Sequence, residues 1–210
     1  MLTLYYTPGA CSLASHVALA EAGADYRLRL VDFAVAEQRS AAYLGVNPKG
    51  RVPALVTDRG VLTENPAILA YVATQYPAAA LAPLHDPFEF ARMQAFNSYL
   101  GATVHVAHAH LRRPERWADD AAARAELQRK APEVMAACFQ MIEDEYLAGP
   151  WVLGESYSVA DAYLFTLTQW LPGHGVDVAR YPRVAAHLAQ MLTRPAVQAV
   201  LEAEAAGRSD

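Results

Sequence analysis

Strand-like sequence patterns are confined to roughly the first 80 residues of this chain, and no other feature limits its possible folds as strongly. In that part, short apolar or alternating runs are separated by helical patterns and by turns rich in proline and glycine. From Phe88 onward the strand signals vanish, and long helical patterns replace them. The sequence therefore predicts a mixed α/β unit followed by an all-α unit.

The first part is predicted to contain four strands and two clear helices. The strands are predicted at 2–6, 26–31, 52–57 and 61–63, the helices at 12–21 and 65–76, and a weak helix or loop at 36–44. A strand–helix–strand unit favours a parallel pair, whereas the tight turn at 58–60 favours an antiparallel hairpin. We therefore expect a mixed four-stranded sheet.

The second part is predicted to form a helical bundle. Its helices are predicted at 88–113, 118–146 and 158–171, with two shorter ones from Val184 and Ala196. Ser158 and Asp161 have the spacing of an N-terminal capping box, with Asp in place of the usual Glu. Prolines interrupt the pattern between the two parts, so we predict domains at 1–78 and 88–210 joined by a linker at 79–87.

Composition and charge exclude several classes of protein. The 210 residues are 54% hydrophobic, which is enough for a full core. The formal net charge is −5 and the sequence has no run of Lys or Arg, so nucleic-acid binding is disfavoured. The longest apolar stretches are broken by charges or prolines, so we expect no membrane-spanning helix. The N-terminus lacks a leader pattern and the two cysteines lie far apart, so we predict a cytoplasmic protein with reduced thiols.

Cys11 is the first candidate for chemistry. It follows the turn at 7–10 and precedes a predicted helix, whose dipole favours the thiolate. Ala14 occupies the place of a second cysteine in a Cys-x-x-Cys frame, so a dithiol disulfide reductase is disfavoured, whereas one-cysteine chemistry on a thiol cofactor stays open. The alternative is a buried structural cysteine, which is our interpretation of Cys138.

Two further features point to ligand binding. A cis bond between Val52 and Pro53 would turn the Val52 backbone toward Cys11, where its N–H and C=O can pair with an extended peptide. The helix predicted after Glu64 offers free N–H groups to a carboxylate, and Glu64 itself can pair with an amine, which suits an α-amino acid head group. The alternatives are an ordinary trans edge strand and a helix cap beside a solvated Glu.

Four segments, in this order and at these spacings, closely resemble a known family. They are YYTPGACSL at 5–13, NPKGRVPAL at 47–55, LTENPAI at 62–68 and SVADAYL at 158–164. Together they resemble the bacterial beta class of the cytosolic glutathione S-transferases. The resemblance implies a thioredoxin-like N-terminal domain with a mixed four-stranded sheet, an all-α C-terminal domain, glutathione as co-substrate, and a homodimer.

The resemblance also implies roles at the reacting sulfur. Cys11 is expected beside the glutathione sulfur, with which it can form a mixed disulfide, and His105 is expected to approach that sulfur from the helical domain. Ser12, a donor at the helix start, is expected to support Cys11. The second substrate is expected to be an apolar electrophile between the domains, against Tyr99, His105, His108 and Trp117.

Glutathione itself is expected to lie along the first domain. Val52 would pair with its cysteinyl backbone, while Glu64 and Asn65 would hold its γ-glutamyl end. Tyr6 is expected to form a wall of the site. The other expected contacts with glutathione are Lys49, Arg51, Val52, Pro53, Glu64, Asn65 and Ser98.

The sequence departs from the family pattern at three of these contacts. The lysine expected to meet the glycyl carboxylate is absent, because Val-Ala-Glu stands at 35–37, so Lys49 or Arg51 is expected to substitute. Asn65 stands where a glycine or serine is expected, which keeps the backbone N–H but removes a hydroxyl contact. Ser98 stands where an asparagine is expected.

A metal site among His105, His108 and His110 is disfavoured. His105 and His108 share a helix face, but His110 lies about 200° around the helix from His108. No carboxylate or cysteine nearby in the sequence completes a set, and closed metal sites need three or four converging ligands.

Three hypotheses for function stay open. The leading one is a transferase that conjugates the thiol of glutathione to apolar electrophiles, after lowering the thiol pKa by ~2 units, or about 2.7 kcal/mol. The second makes Cys11 itself the nucleophile of glutathione-dependent disulfide exchange or dehalogenation. The third is a non-catalytic binder of apolar ligands, motivated by the altered glycyl-carboxylate contact.

Overall fold

The computed structural model describes residues 1–207 of the chain. Its first part contains a four-stranded sheet with the order β2-β1-β3-β4. The strands are β1 (Leu2–Tyr6), β2 (Tyr26–Leu30), β3 (Ala54–Thr57) and β4 (Gly60–Thr63). Because β1 is parallel to β2 and antiparallel to β3, which is antiparallel to β4, the predicted mixed sheet is confirmed.

Helices cover this sheet and fix which side chains of β1 face the core. The helices are α1 (Ser12–Glu21), α2 (Ala41–Leu44) and α3 (Asn65–Gln75). α2 and a 3₁₀ turn at Glu37–Arg39 occupy the segment predicted as a weak helix or loop. Since side chains alternate along a strand, Leu4 lies in the main core, whereas Tyr5 joins a smaller cluster around Tyr43 on the other face.

The second part is a helical bundle, as predicted. Its helices are α4 (Pro87–Tyr99), α5 (His105–Arg112), α6 (Ala121–Met141), α7 (Val159–Thr168), α8 (Pro182–Leu192) and α9 (Pro195–Ala206). Within residues 1–207, none of the helices has the length and apolar character needed to span a membrane. The domain boundaries at 78 and 88 stay a prediction.

The helix predicted as continuous over 88–113 contains an interruption. A π-helical turn at Leu100–Val104 separates α4 from α5. Such a turn admits one residue more than an α-helical turn, which changes the direction of the side chains that follow, and it is frequent at functional sites. His105 is the first residue after it.

The N-terminus of α7 has the capping box predicted from the sequence. The Ser158 hydroxyl accepts a hydrogen bond from the Ala160 N–H at 3.3 Å, and the Asp161 carboxylate accepts one from the Ser158 N–H at 2.8 Å. Asp161 is fully buried, and it also accepts from the Val152 N–H at 2.8 Å and lies 3.1 Å from His187 Nε2. This carboxylate therefore ties α7 to the preceding loop and to α8.

The two parts of the chain share one core. Leu4 and Ile68 of the first part belong to the same buried cluster as Phe96 and Leu164 of the second. Helix α1 packs against α7 and α9. The N-terminus of α1, where Cys11 lies, is thereby set against the helical bundle.

Candidate active site

Two adjoining cavities lie where the sheet meets the helical bundle. Cavity 1 has a volume of about 410 Å³ and cavity 2 of about 670 Å³, both in the range of sites for small molecules. Six residues line both cavities: Cys11, Arg51, Val52, His105, Ala109 and Arg116. A group placed beside Cys11 therefore faces both cavities.

Cys11 occupies the N-cap position of α1, and its thiol is directed at the backbone of Val52. Its Sγ donates to the carbonyl oxygen of Val52 at 3.2 Å. Burial raises the pKa of the Cys11 thiol to about 12, and the charge of Glu64 adds to this. A backbone hydrogen bond at Cys11 and, after it, the charges of Arg51 and Arg116 lower the pKa. Burial therefore opposes the thiolate that the start of a helix favours, because the charged form loses hydration.

The turn before Cys11 is closed by Ser12. The Ser12 hydroxyl accepts from the Thr7 N–H and donates to the Thr7 carbonyl, each at 3.2 Å. Ser12 is fully buried and lines neither cavity. The prediction that Ser12 supports Cys11 in the reaction is therefore corrected: its hydroxyl holds the backbone of the turn.

The same turn is also fixed from the helical domain, through Gly9. The Gly9 N–H donates to Glu204 Oε2 at 2.9 Å, and the Gly9 carbonyl accepts from Trp170 Nε1 at 3.1 Å. Gly9 has φ 73°, a left-handed conformation that glycine adopts without strain. Contacts from α9 and from Trp170, just after α7, therefore set the position of the backbone that carries Cys11.

The Val52-Pro53 peptide bond is cis, and not the trans bond of an ordinary edge strand. The loop before it is held by its own polar groups, since Asn47 Nδ2 and the Tyr43 hydroxyl both donate to the Arg51 carbonyl at 2.6 Å. Val52 lines both cavities, and its carbonyl faces the Cys11 thiol. An extended peptide in cavity 1 would meet this backbone beside Cys11.

Glu64 and Asn65 line cavity 1 at the N-terminus of α3. Glu64 has φ 72° and ψ 124°, a strained conformation for a residue with a side chain, and such strain is concentrated at functional sites. The buried Asn65 side chain donates to the Cys11 carbonyl at 2.8 Å and accepts from the Ser15 hydroxyl at 2.6 Å. The Asn65 side chain therefore joins α3 to α1. The Asn65 backbone N–H, at the start of α3, is left for a ligand.

The two proposed substitutes for the missing lysine lie in different places. Lys49 Nζ donates to the Thr63 hydroxyl at 2.7 Å and to Glu64 Oε1 at 2.5 Å, and Lys49 lines neither cavity. Arg51 lines both cavities. Lys49 is therefore placed at the Glu64 end of the site, and Arg51 is the better candidate for a carboxylate at the other end.

His105 is brought to the junction of the two cavities by the π-helical turn. Its ring packs against Trp170, with ring centroids 5.1 Å apart. Burial lowers the pKa of His105 to about 4, and the charges of Arg51 and Arg116 lower it further. The imidazole is therefore neutral at neutral pH, where it can donate or accept a hydrogen bond but supplies no positive charge.

His108 lines cavity 2 and belongs to a stack of rings. It lies on Trp170 with centroids 4.0 Å apart, and its Nδ1 is 3.0 Å from His174 Nε2. Burial, followed by the charge of His174, lowers the pKa of His108 to about 3. His110 instead packs edge-on against Trp117, and residues 1–207 contain no group of three or more side chains that could hold a metal ion.

Two family models match the chain: the N-terminal domain of the glutathione S-transferases over residues 1–74 and their C-terminal domain over residues 104–190. The chain belongs to the glutathione S-transferase family.

Solved structures and sequence relatives match almost the full length of this chain. A glutathione transferase homologue from Sulfitobacter, solved with bound glutathione, is 47% identical with a TM-score of 0.94, over 96% of this chain and 97% of that one. The beta-class glutathione S-transferase of Sphingomonas chungbukensis is 39% identical with a TM-score of 0.85, over 96% and 98%. The glutathione S-transferase GstA of Escherichia coli O157:H7 is 36% identical, over 97% of this chain and 98% of its own length. The predicted family and fold are confirmed.

Two tyrosines predicted in the site of this transferase lie elsewhere. Tyr6 is 5% exposed and packs against His16, because its place in β1 directs it into the core. The Tyr99 hydroxyl donates to the Cys138 carbonyl at 3.3 Å, and its ring stacks on Tyr146. Neither tyrosine lines cavity 1 or cavity 2, so both assignments are corrected.

Other predicted residues do reach the cavities, and the prediction missed several. Ser98, Pro53 and Trp117 line cavity 1. The missed residues include four arginines, all in the lining of cavity 2: Arg39, Arg112, Arg113 and Arg116. The run at 111–116, Leu-Arg-Arg-Pro-Glu-Arg, was a signal in the sequence, but its position at the end of α5 could not be related to the site without the packing of the two domains.

Proposed function

We propose that this transferase binds glutathione in cavity 1 and joins the glutathione sulfur to an electrophile bound in cavity 2. The observation that carries the proposal is that Cys11, Val52 and His105 line both cavities. A thiol held beside Cys11 by the Val52 backbone would be exposed to a second substrate without moving. The glutathione-bound Sulfitobacter homologue supports the choice of thiol.

The ends of glutathione match the two ends of cavity 1. The γ-glutamyl amine pairs with Glu64, and its carboxylate accepts from the free backbone N–H at the start of α3. The cysteinyl backbone pairs with Val52, and the glycyl carboxylate meets Arg51. The ion pair between Lys49 and Glu64 adjusts when the amine arrives, because both side chains are largely exposed.

In this arrangement the protein stabilises the glutathione thiolate. The Cys11 thiol keeps its proton and turns its hydrogen bond from Val52 to the thiolate, since a charged acceptor is stronger than a carbonyl. Arg51 and Arg116 add positive charge, and the neutral His105 donates a ring N–H. The thiolate then attacks the electrophile: a sulfur–carbon bond forms, the leaving group departs with its electron pair, and the thiol proton goes to solvent.

The two other hypotheses are less well supported. A nucleophilic Cys11 requires a thiolate, whereas burial raises its pKa to about 12. A binder without activity was motivated by the missing lysine, and Arg51 offers a cation in its place.

The pKa of the bound glutathione thiol tests the proposal. Ultraviolet difference spectroscopy over a pH series reports the thiolate, and we expect a pKa about 2 units below that of free glutathione. In Cys11→Ala the shift becomes smaller, whereas the matched variant Cys138→Ala keeps it, because Cys138 is buried within the helical bundle. An unshifted pKa in the wild-type complex would reject the proposal.

We also propose that the transferase is a cytoplasmic homodimer. Phe88 and Val61 are 71% and 43% exposed, and burying these apolar side chains against a partner chain would favour association. Sedimentation equilibrium of the wild type should give the mass of two chains, and Phe88→Ser should weaken the association. A monomer at all concentrations would contradict the proposal.

A further inference from the structure

Cavity 2 has a strongly positive lining. Five arginines contribute to it, namely Arg39, Arg51, Arg112, Arg113 and Arg116, and Glu115 is the one acidic residue among the described lining residues. The whole chain has 17 lysine and arginine residues against 22 aspartate and glutamate residues, so composition does not account for this concentration of positive charge.

Within residues 1–207, none of these five arginines forms an ion pair with a carboxylate. Elsewhere arginine does so, as in the bidentate pair of Arg194 with Glu21. Arg113 donates to the carbonyl of its neighbour Arg112 at 3.0 Å. The Arg112 guanidinium lies against Gly173, where the Cβ of any other residue would stand only 2.9 Å from Nη2.

The arginines also act on one another. Burial lowers the pKa of Arg116, and the charges of Arg51, Arg113 and Arg39 lower it further, against the opposing charge of Glu115. Positive charges gathered in one cavity lining repel each other, and a bound anion would relieve that repulsion.

A purely structural explanation covers only part of the cluster. Arg112 lies in the last turn of α5, where a cation stabilises the helix dipole. This does not explain Arg39 and Arg51, which belong to the first domain and face the same cavity. Cations from both domains converge on one volume.

Glutathione uses only part of this charge. Arg51 lines both cavities and is assigned above to the glycyl carboxylate. Arg112 and Arg113 line cavity 2 and not cavity 1, so they lie outside the lining assigned to glutathione. Their charge is left for the second substrate.

Cavity 2 also offers a flat surface. The Trp170 indole and the His108 ring are stacked with an interplanar angle of 25°, and the Trp170 N–H is fixed by the Gly9 carbonyl. The ring of Phe33 also contributes to the lining. Stacked and apolar walls suit a planar unsaturated group.

We propose that the electrophile of this transferase is an anion: an aromatic or conjugated carboxylate whose planar body lies by Trp170 and whose carboxylate is bound by Arg112 and Arg113. The proposal rests on the proposed function and replaces the apolar electrophile expected from the sequence. Bidentate guanidinium–carboxylate geometry is the reason for choosing a carboxylate.

A matched pair of probes isolates the charge. 4-Chloro-3-nitrobenzoate and 4-chloro-3-nitrobenzamide share the ring and the leaving group and differ in the negative charge. In each reaction the glutathione sulfur bonds to the ring carbon, chloride leaves with the electron pair of the carbon–chlorine bond, and the thiol proton goes to solvent. Each kcat/KM is divided by the rate constant of the uncatalysed reaction with glutathione.

We expect the wild type to favour the benzoate by about tenfold or more in this corrected ratio. Arg112→Gln and Arg113→Gln should each lower the ratio of benzoate to benzamide about tenfold, while the KM for glutathione stays within about twofold. Arg59→Gln, which removes one charge from an exposed turn outside both cavities, should leave the ratio unchanged. Added salt should reduce the preference for the benzoate.

A binding experiment separates this proposal from the proposed function. Calorimetry compares the two product conjugates, S-(4-carboxy-2-nitrophenyl)glutathione and its carbamoyl analogue. We expect the carboxylate to bind about tenfold more tightly in the wild type and not in the Arg112→Gln, Arg113→Gln double variant. Equal affinities, or a loss of affinity for glutathione itself in that variant, would overturn the anionic electrophile. Absence of binding by glutathione and by both conjugates would overturn the proposed function as well.

Discussion

The Glu204 carboxylate accepts a hydrogen bond of 2.9 Å from the Gly9 backbone N–H, although 195 residues separate the two in sequence. Glu204 is 3% exposed, and its second oxygen lies 3.1 Å from His16 Nδ1 in α1. Helix α9, near the end of the chain, thus fixes the turn that precedes Cys11. The C-terminal domain therefore acts on the site here through Glu204, a residue that lines neither cavity.

The first prediction concerns this contact. Glu204→Ala leaves the Gly9 N–H and the His16 ring without their partner, so we expect it to lower the free energy of unfolding by about 3 kcal/mol. Because the Cys11 turn loosens, kcat/KM should fall about tenfold. Glu202→Ala on the same helix is the matched control, since that side chain is exposed. Urea unfolding and steady-state kinetics measure both effects, and equal behaviour of the two variants would refute the prediction.

The second prediction separates the two cations offered for the glycyl carboxylate. Arg51→Gln should raise the KM for glutathione about tenfold, whereas Lys49→Gln should change it less than about threefold, because Lys49 lies at the Glu64 end. Glutathione esterified at the glycine serves as the control substrate. It should bind the wild type weakly, and Arg51→Gln should weaken it no further. A larger effect of Lys49→Gln would reverse the assignment.

The third prediction is a pH dependence of stability from the buried histidines. The pKa values of His105, His108 and His174 are lowered to about 4, 3 and 4, respectively, mainly by burial. The unfolded chain therefore binds protons first, and the free energy of unfolding should fall as the pH decreases from 6.5 toward 4. Urea unfolding at pH 7 and pH 5 gives the difference. His105→Gln should reduce it and the exposed His85→Gln should not; an unchanged difference in His105→Gln would contradict the expected effect.

The fourth prediction concerns the Asp161 carboxylate under α7. Asp161→Ala removes the partner of the Ser158 and Val152 N–H groups and of His187, so we expect a loss of about 3–5 kcal/mol in the free energy of unfolding. Asp120→Ala, which removes an exposed cap of α6, should cost only about 1 kcal/mol. Chemical denaturation compares the two variants. A loss of similar size in both would show that the buried network adds nothing to an ordinary cap.

Local chemistry determined much of this protein from the sequence alone. The order of strands and helices follows from periodicity and turn residues, and the capping box at Ser158 follows from the spacing of two side chains. Cys11, Val52 and Glu64 were identified because each lies next to a turn or a helix start, which are features of a few consecutive residues. Their convergence on one cavity was implied by the family resemblance and is present in the structure.

Only the tertiary structure decided the pKa of the Cys11 thiol and the set of residues that line cavity 2. Burial raises the pKa of the Cys11 thiol, and burial depends on what the rest of the fold packs around it. Tyr6 and Tyr99 turn into the core, while Arg112 and Arg113 meet Arg39 from the other domain. Sequence patterns report periodicity along one segment, whereas hydration, charge density and cavity lining arise from groups that are distant in the chain and close in space.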